Sequence, residues 1–121
     1  LVNALRLVGR EAPRARVVLV GYPQIFPATG SALCSASLLT TPGDTAYLHR
    51  VFKALNAAMR RAAAATRVTF VDMTKVSAGH DACAGERRWV EPTLGAVSFP
   101  AMHANARGQK AMADQVVAAL R

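Results

Sequence analysis

Hydrophobic and polar positions follow two alternating rhythms along these 121 residues. Leu1, Leu5 and Val8 share one side of a helix that Gly9 and the Ala12-Pro13 break would end, as though the tail of a longer helix opened the chain. Residues 16–22 are a continuous β-branched apolar run closed by Pro23, the pattern of a strand buried on both faces of a parallel sheet. A long connection rich in Pro, Gly, Ser and Thr follows to Pro42, of the kind that is usually functional or stapled. Thr41, Pro42 and Asp44 then start a helix as N-cap, first position and first-turn acid. Leu48, Phe52, Leu55, Met59 and Ala62 form its stripe to about Ala65. Residues 67–72 read as a second buried strand and residues 76–96 as irregular. Met112, Val116 and Leu120 give a closing helix one apolar face. Strand, long helix, strand and final helix make an α/β pattern with a right-handed parallel crossover. Two strands are few for an open parallel sheet, and each keeps an unpaired edge, which predicts that further strands come from elsewhere.

Composition narrows the class. Hydrophobic residues make up 52% of the chain, enough for a packed core within one domain, here residues 1–121. A net charge of +8 raises the possibility of an anionic partner. The arginines are scattered, however, and only Arg60-Arg61 and Arg87-Arg88 adjoin. The charge therefore reads as a solvated arginine-rich surface, and no nucleic-acid partner is expected. No run of 18 apolar residues predicts a transmembrane segment. Three histidines and two separated cysteines show no metal-ligand spacing, so neither metal nor cofactor is expected. Cys34 and Cys83 both lie beyond the carboxyl end of an expected strand, where they can meet on one face of the sheet. A bond between them would close a loop of about 50 residues and stabilise by about 4 kcal/mol, and it would place the protein in an oxidising compartment. The alternative is a pair of buried reduced thiols.

The richest stretch runs from Ser98 to Ala113. It is a short loop carrying His103, delivered to a helix for which Asn105 is a good N-cap. A histidine two residues ahead of a capped, pinned helix has a fixed backbone, which general-base chemistry needs. The same spacing also describes an ordinary surface-loop histidine. Tyr22 stands at a strand carboxyl end, where α/β sheets bind ligands; the alternative is that it only turns the chain. Of the others, His49 reads as solvent-facing and His80 as structural or pocket-edge.

His103-Ala104-Asn105-Ala106-Arg107-Gly108-Gln109-Lys110-Ala111-Met112-Ala113 resembles the last signature block of the SGNH (GDSL-type) hydrolases, in particular secreted actinobacterial esterases and lipases. Residues 18–23, Val-Leu-Val-Gly-Tyr-Pro, resemble the strand and Tyr-Pro turn after the family's third block. Gly79-His80-Asp81-Ala82-Cys83 followed by Trp89-Val90 is similar to its Gly-His-x-x-Cys…Trp stretch. The resemblance implies a three-layer α/β/α, flavodoxin-like fold and hydrolysis of ester or lipid substrates by a serine nucleophile, without metal. His103 takes the base position, removing the serine proton and returning one to the leaving alcohol. Many members orient this histidine with an Asp three residues earlier; here that position is Pro100, whose main-chain carbonyl is the expected substitute. Asp72, Asp81 and Asp114 are the fallback orienting groups, and Trp89 is a candidate wall of an acyl pocket or a packing residue.

The family's Gly-Asp-Ser nucleophile block and its Gly-x-Asn-Asp oxyanion block do not appear in these 121 residues. Asn3 and Asn56 lie on expected helices, and no serine has the nucleophile's context. The chain therefore reads as the carboxyl-terminal part of an SGNH domain, inactive alone and dependent on a preceding segment for its serine. An inactive SGNH-like module that binds lipid, glycan or a protein partner is the alternative.

Overall fold

The structure is a computed structural model that describes residues 1–98 and 100–121. Phe99, inside the stretch singled out above, lies outside the described residues. The elements in order are α1 (Val2–Glu11), β1 (Val18–Val20), α2 (Ala32–Leu38), α3 (Pro42–Thr66), β2 (Thr69–Val71), α4 (Met73–Val76) and α5 (Ala106–Ala119), with a 3-10 turn at Gly85–Arg87. β1 and β2 pair in parallel, with Val18 opposite Thr69, Leu19 opposite Phe70 and Val20 opposite Val71. The ladder gains one bond beyond β1, from the Gly21 amide to the Val71 carbonyl at 2.9 Å. α5 packs on both strands, α3 on β2, and α1 on α3. This is a mixed α/β arrangement around a small parallel sheet.

α3 starts as its sequence dictates. The Thr41 side chain accepts from the Asp44 amide and the Asp44 carboxylate accepts from the Thr41 amide, both at 3.2 Å, a reciprocal capping box with Pro42 at the first position. Its buried side differs from the expected stripe. Met59 and Ala62 are buried and Leu48 and Phe52 half-buried, but Leu55 is 40% exposed while Thr45, Asn56 and Ala63 are buried. The polar residues are buried because each has partners. Asn56 clamps Tyr22 through its main chain, accepting from the Tyr22 amide at 2.8 Å and donating to its carbonyl at 2.9 Å. The Thr45 hydroxyl shares hydrogen bonds with Ser35 and Thr40.

The long connection after β1 is not wholly irregular. It holds α2, capped by Ser31, whose hydroxyl accepts from the Cys34 amide at 3.1 Å. Seven residues rich in serine have little helix propensity, so tertiary contacts sustain this helix. Leu38 is buried in the main apolar cluster with Ile25, Phe26, Ala82 and Val90, and Cys34 and Met102 pack against it. Cys34 is joined to Cys83 by a disulfide with Cα atoms 5.5 Å apart. The core thus sits under the loops that follow the strands. The strands themselves are less enclosed than expected: Val18, Leu19 and Val20 are each half-buried, because a pair of strands gives neither one two neighbours.

Candidate functional site

Asn105 builds the site outward from α5. Its side-chain oxygen accepts from the Arg107 and Gly108 amides, both at 3.1 Å, the N-cap expected from sequence. Its amide nitrogen donates to the Arg88 carbonyl and to Glu91 Oε1, both at 3.0 Å, and its backbone amide donates to the Trp89 carbonyl at 2.8 Å. The Glu91 amide donates to the His103 carbonyl at 3.0 Å and the Met102 amide to the Glu91 carbonyl at 2.9 Å. Residues 89–91 and 102–105 therefore form a short antiparallel ladder centred on the Val90–Ala104 bridge. Met102 adopts a left-handed φ of 62°, strained for a residue with a long side chain, and it is held by that ladder and by its packing on the apolar cluster.

Gly108 is required by close approach. A methyl there would overlap the Trp89 carbonyl oxygen, which the first turn of α5 faces directly. Gly108→Ala is expected to destabilise by about 2–3 kcal/mol in urea unfolding, because backbone must move to relieve the overlap. A change below 0.5 kcal/mol would contradict that packing.

His103 is exposed at the top of this loop. Its Nδ1 lies 2.9 Å from the Ala101 carbonyl oxygen. A carbonyl only accepts, so Nδ1 carries the hydrogen and the neutral ring keeps its lone pair at Nε2, the form a base must have. Main-chain support was expected from Pro100; the carbonyl in place is one residue later, that of Ala101. The fallback acids are engaged elsewhere. Asp72 caps α4 and pairs with Arg60. Burial pushes its carboxyl up, but the Thr74 amide and hydroxyl, with Arg60 and Lys75, outweigh that and hold it below the usual carboxylate range. Asp81 accepts from the Cys83 amide at 2.9 Å, and Asp114 pairs with Lys110 at 2.7 Å.

Beside the loop runs an open groove of about 660 Å³ walled by Arg88, Glu91, Val97, Ser98, Asn105 and Arg107. It shares Gly85 and Arg88 with a second hollow of about 290 Å³ that Leu33, the disulfide and Leu94 line. Glu91 is 1% exposed, and sequence reasoning passed over it. Its Oε2 accepts from the Val97 amide at 3.0 Å and from Arg88 at 3.1 Å. Burial raises its carboxyl, but the Val97 amide, Asn105 and Arg88 together outweigh burial and keep it below the usual range, hence ionised. The one available signal was an acid inside the run Trp89-Val90-Glu91-Pro92, an unusual place for an unpaired charge.

The aromatic candidates stand apart from these hollows. Tyr22 is 45% exposed and meets Phe52 edge-on at 5.6 Å. Trp89 stacks on His80, ring centroids 4.2 Å apart, and lines neither hollow. His49 is half-buried, not solvent-facing, with Nδ1 donating to the Phe26 carbonyl at 2.8 Å. Among the described residues no three His, Cys, Asp or Glu gather to hold a metal ion, and no helix is long and apolar enough to cross a membrane.

His103 thus stands exposed on a loop pinned to the start of α5, within an α/β framework that carries a groove walled in part by Ser98, Asn105 and Arg107. Residues 1–111 match the GDSL-like lipase/acylhydrolase family, and the chain belongs to that family. It is 45% identical to Lipase 2 of Streptomyces coelicolor over 118 residues, covering 97% of this chain and 40% of that protein. It is 32% identical to an esterase of Streptomyces scabiei over 74% of this chain and 28% of that protein. A lipase of Streptomyces rimosus is 30% identical over 84% of this chain and 36% of that protein. The chain thus spans between about a quarter and two fifths of these relatives' lengths.

Proposed function

We propose that the intact protein hydrolyses carboxylic esters by a Ser–His mechanism in which His103 is the base. The carrying observation is the Nδ1 contact with the Ala101 carbonyl, which leaves Nε2 free to accept a proton. Nε2 takes the proton of a serine hydroxyl as that oxygen attacks the ester carbonyl, then delivers it to the departing alcohol. The serine comes from a segment preceding these residues, and residues 1–121 form the carboxyl-terminal part of one three-layer α/β/α domain. The lipase and esterase names of the relatives support acyl esters as the substrate class. The Cys34–Cys83 bridge supports an extracytoplasmic setting.

The test is to express these residues alone and joined to the preceding coding region, and to assay both with p-nitrophenyl butyrate and a fluorophosphonate probe. The joined protein is expected to turn over the ester and take one label on a serine, and the 121 residues alone to do neither. A joined protein that folds yet neither hydrolyses nor labels would refute the reading.

A further inference from the structure

We propose that Glu91 is a positioning residue for His103: its buried carboxylate ties together the loop and helix cap that present the imidazole. The inference rests on the base role given to His103 above. Three observations carry it. The Glu91 main chain bonds to Met102 and His103 on the facing segment, so it grips the peptide from which the ring springs. Its side chain reaches past His103 to Asn105, the cap of α5, and fixes that residue's amide group as well. Its other oxygen holds the Val97 amide and Arg88, which anchors the loop entering the His103 stretch. One carboxylate therefore restrains the chain on both sides of His103.

A carboxylate that is 1% exposed is a poor choice for stability alone, since a buried ion pair seldom outperforms apolar packing of similar volume. What it does supply is a set of directional acceptors. Asn105, the Val97 amide and Arg88 all present donors, and an ionised carboxylate can accept from every one. An isosteric amide cannot, because its NH2 group would have to face at least one of those donors. The strained Met102 beside His103 also needs this ladder to stay in place. A base displaced by about 1 Å loses on the order of 100-fold in rate, so slack in this anchor would register in turnover before it registered in substrate binding.

The experiment uses the intact enzyme and four variants: Glu91→Gln, Asn105→Ser, His103→Ala and the Glu91→Gln/His103→Ala pair. Asn105→Ser keeps a good helix cap while removing the donor to Glu91, so it serves if Glu91→Gln folds poorly. Both single changes are expected to lower kcat on p-nitrophenyl butyrate about tenfold or more with KM within about twofold. Glu91→Gln should have no further effect once His103 is alanine. Nitrogen-15 spectra of the His103 ring should change from one Nδ1–H tautomer in the parent to a mixture in both single variants. Unchanged kcat, a rise confined to KM, or an equal further loss in the His103→Ala background would overturn the proposal. If His103→Ala itself keeps full turnover, the hydrolase role of His103 fails separately. The ring spectra then decide: a retained single tautomer in Glu91→Gln and Asn105→Ser overturns the positioning role, and a mixture upholds it.

Discussion

If the proposed base role is right, replacing His103 with alanine in the intact protein is expected to lower kcat/KM for p-nitrophenyl esters by about 10³- to 10⁴-fold while leaving thermal unfolding nearly unchanged. The side chain is exposed and, among the described residues, its one hydrogen bond is to a neighbouring carbonyl, so its removal costs the fold little. The same geometry predicts what will not matter. Asp114 pairs with Lys110 on the surface of α5, and Asp114→Asn should keep turnover within about twofold. An orienting acid would behave otherwise: removing the Asp of a Ser-His-Asp triad costs about 10⁴-fold through loss of the correct tautomer. Here a main-chain carbonyl sets the tautomer, and no side-chain substitution can delete a carbonyl. Steady-state kinetics on the two variants checks both halves. Retained turnover in His103→Ala would remove the base assignment, and a hundredfold loss in Asp114→Asn would replace the carbonyl with an acid.

The second large effect concerns Cys34 and Cys83. Reducing the bridge, or changing both residues to serine, is expected to destabilise the protein by about 4 kcal/mol, for a closed loop spanning 49 positions. Most of that arises in the unfolded chain, which regains the freedom the loop denied it. Some arises in the folded state, because both cysteines pack against the cluster of Ile25, Phe26, Leu38, Ala82 and Val90. Urea unfolding with and without dithiothreitol measures the difference. A shift below about 1 kcal/mol would mean that the two connections stay associated without the bridge.

How far the residues announced this structure depends on the range of the forces involved. α3 and α5 were legible because their starts are local: Thr41, Pro42 and Asp44 cap one, and Asn105 the other, through atoms within three residues. The two strands were legible from their β-branched runs, although their burial was overestimated. α2 was not legible, since its serines and short length argue against a helix and its support comes from Leu38, Thr45 and the disulfide. The burial of Asn56 in place of Leu55 was hidden for a related reason: its partner is the backbone of Tyr22, 34 positions away. At the site, the His103 loop could be read from its neighbours in sequence. Glu91 could not, because its partners Asn105 and Val97 are assembled only by folding, and an acid three residues after Arg88 looks like one half of a surface ion pair.

Trp89 is the sole tryptophan of the 121 residues, and its carbonyl receives the Asn105 amide while its ring lies flat on His80. Emission from that indole is therefore a natural optical reporter confined to the anchor of the His103 loop, silent about α1, α3 and the sheet. In stopped-flow refolding, far-ultraviolet circular dichroism and this fluorescence would time separate events. A lag between them would reveal how late in folding His103 is put in place.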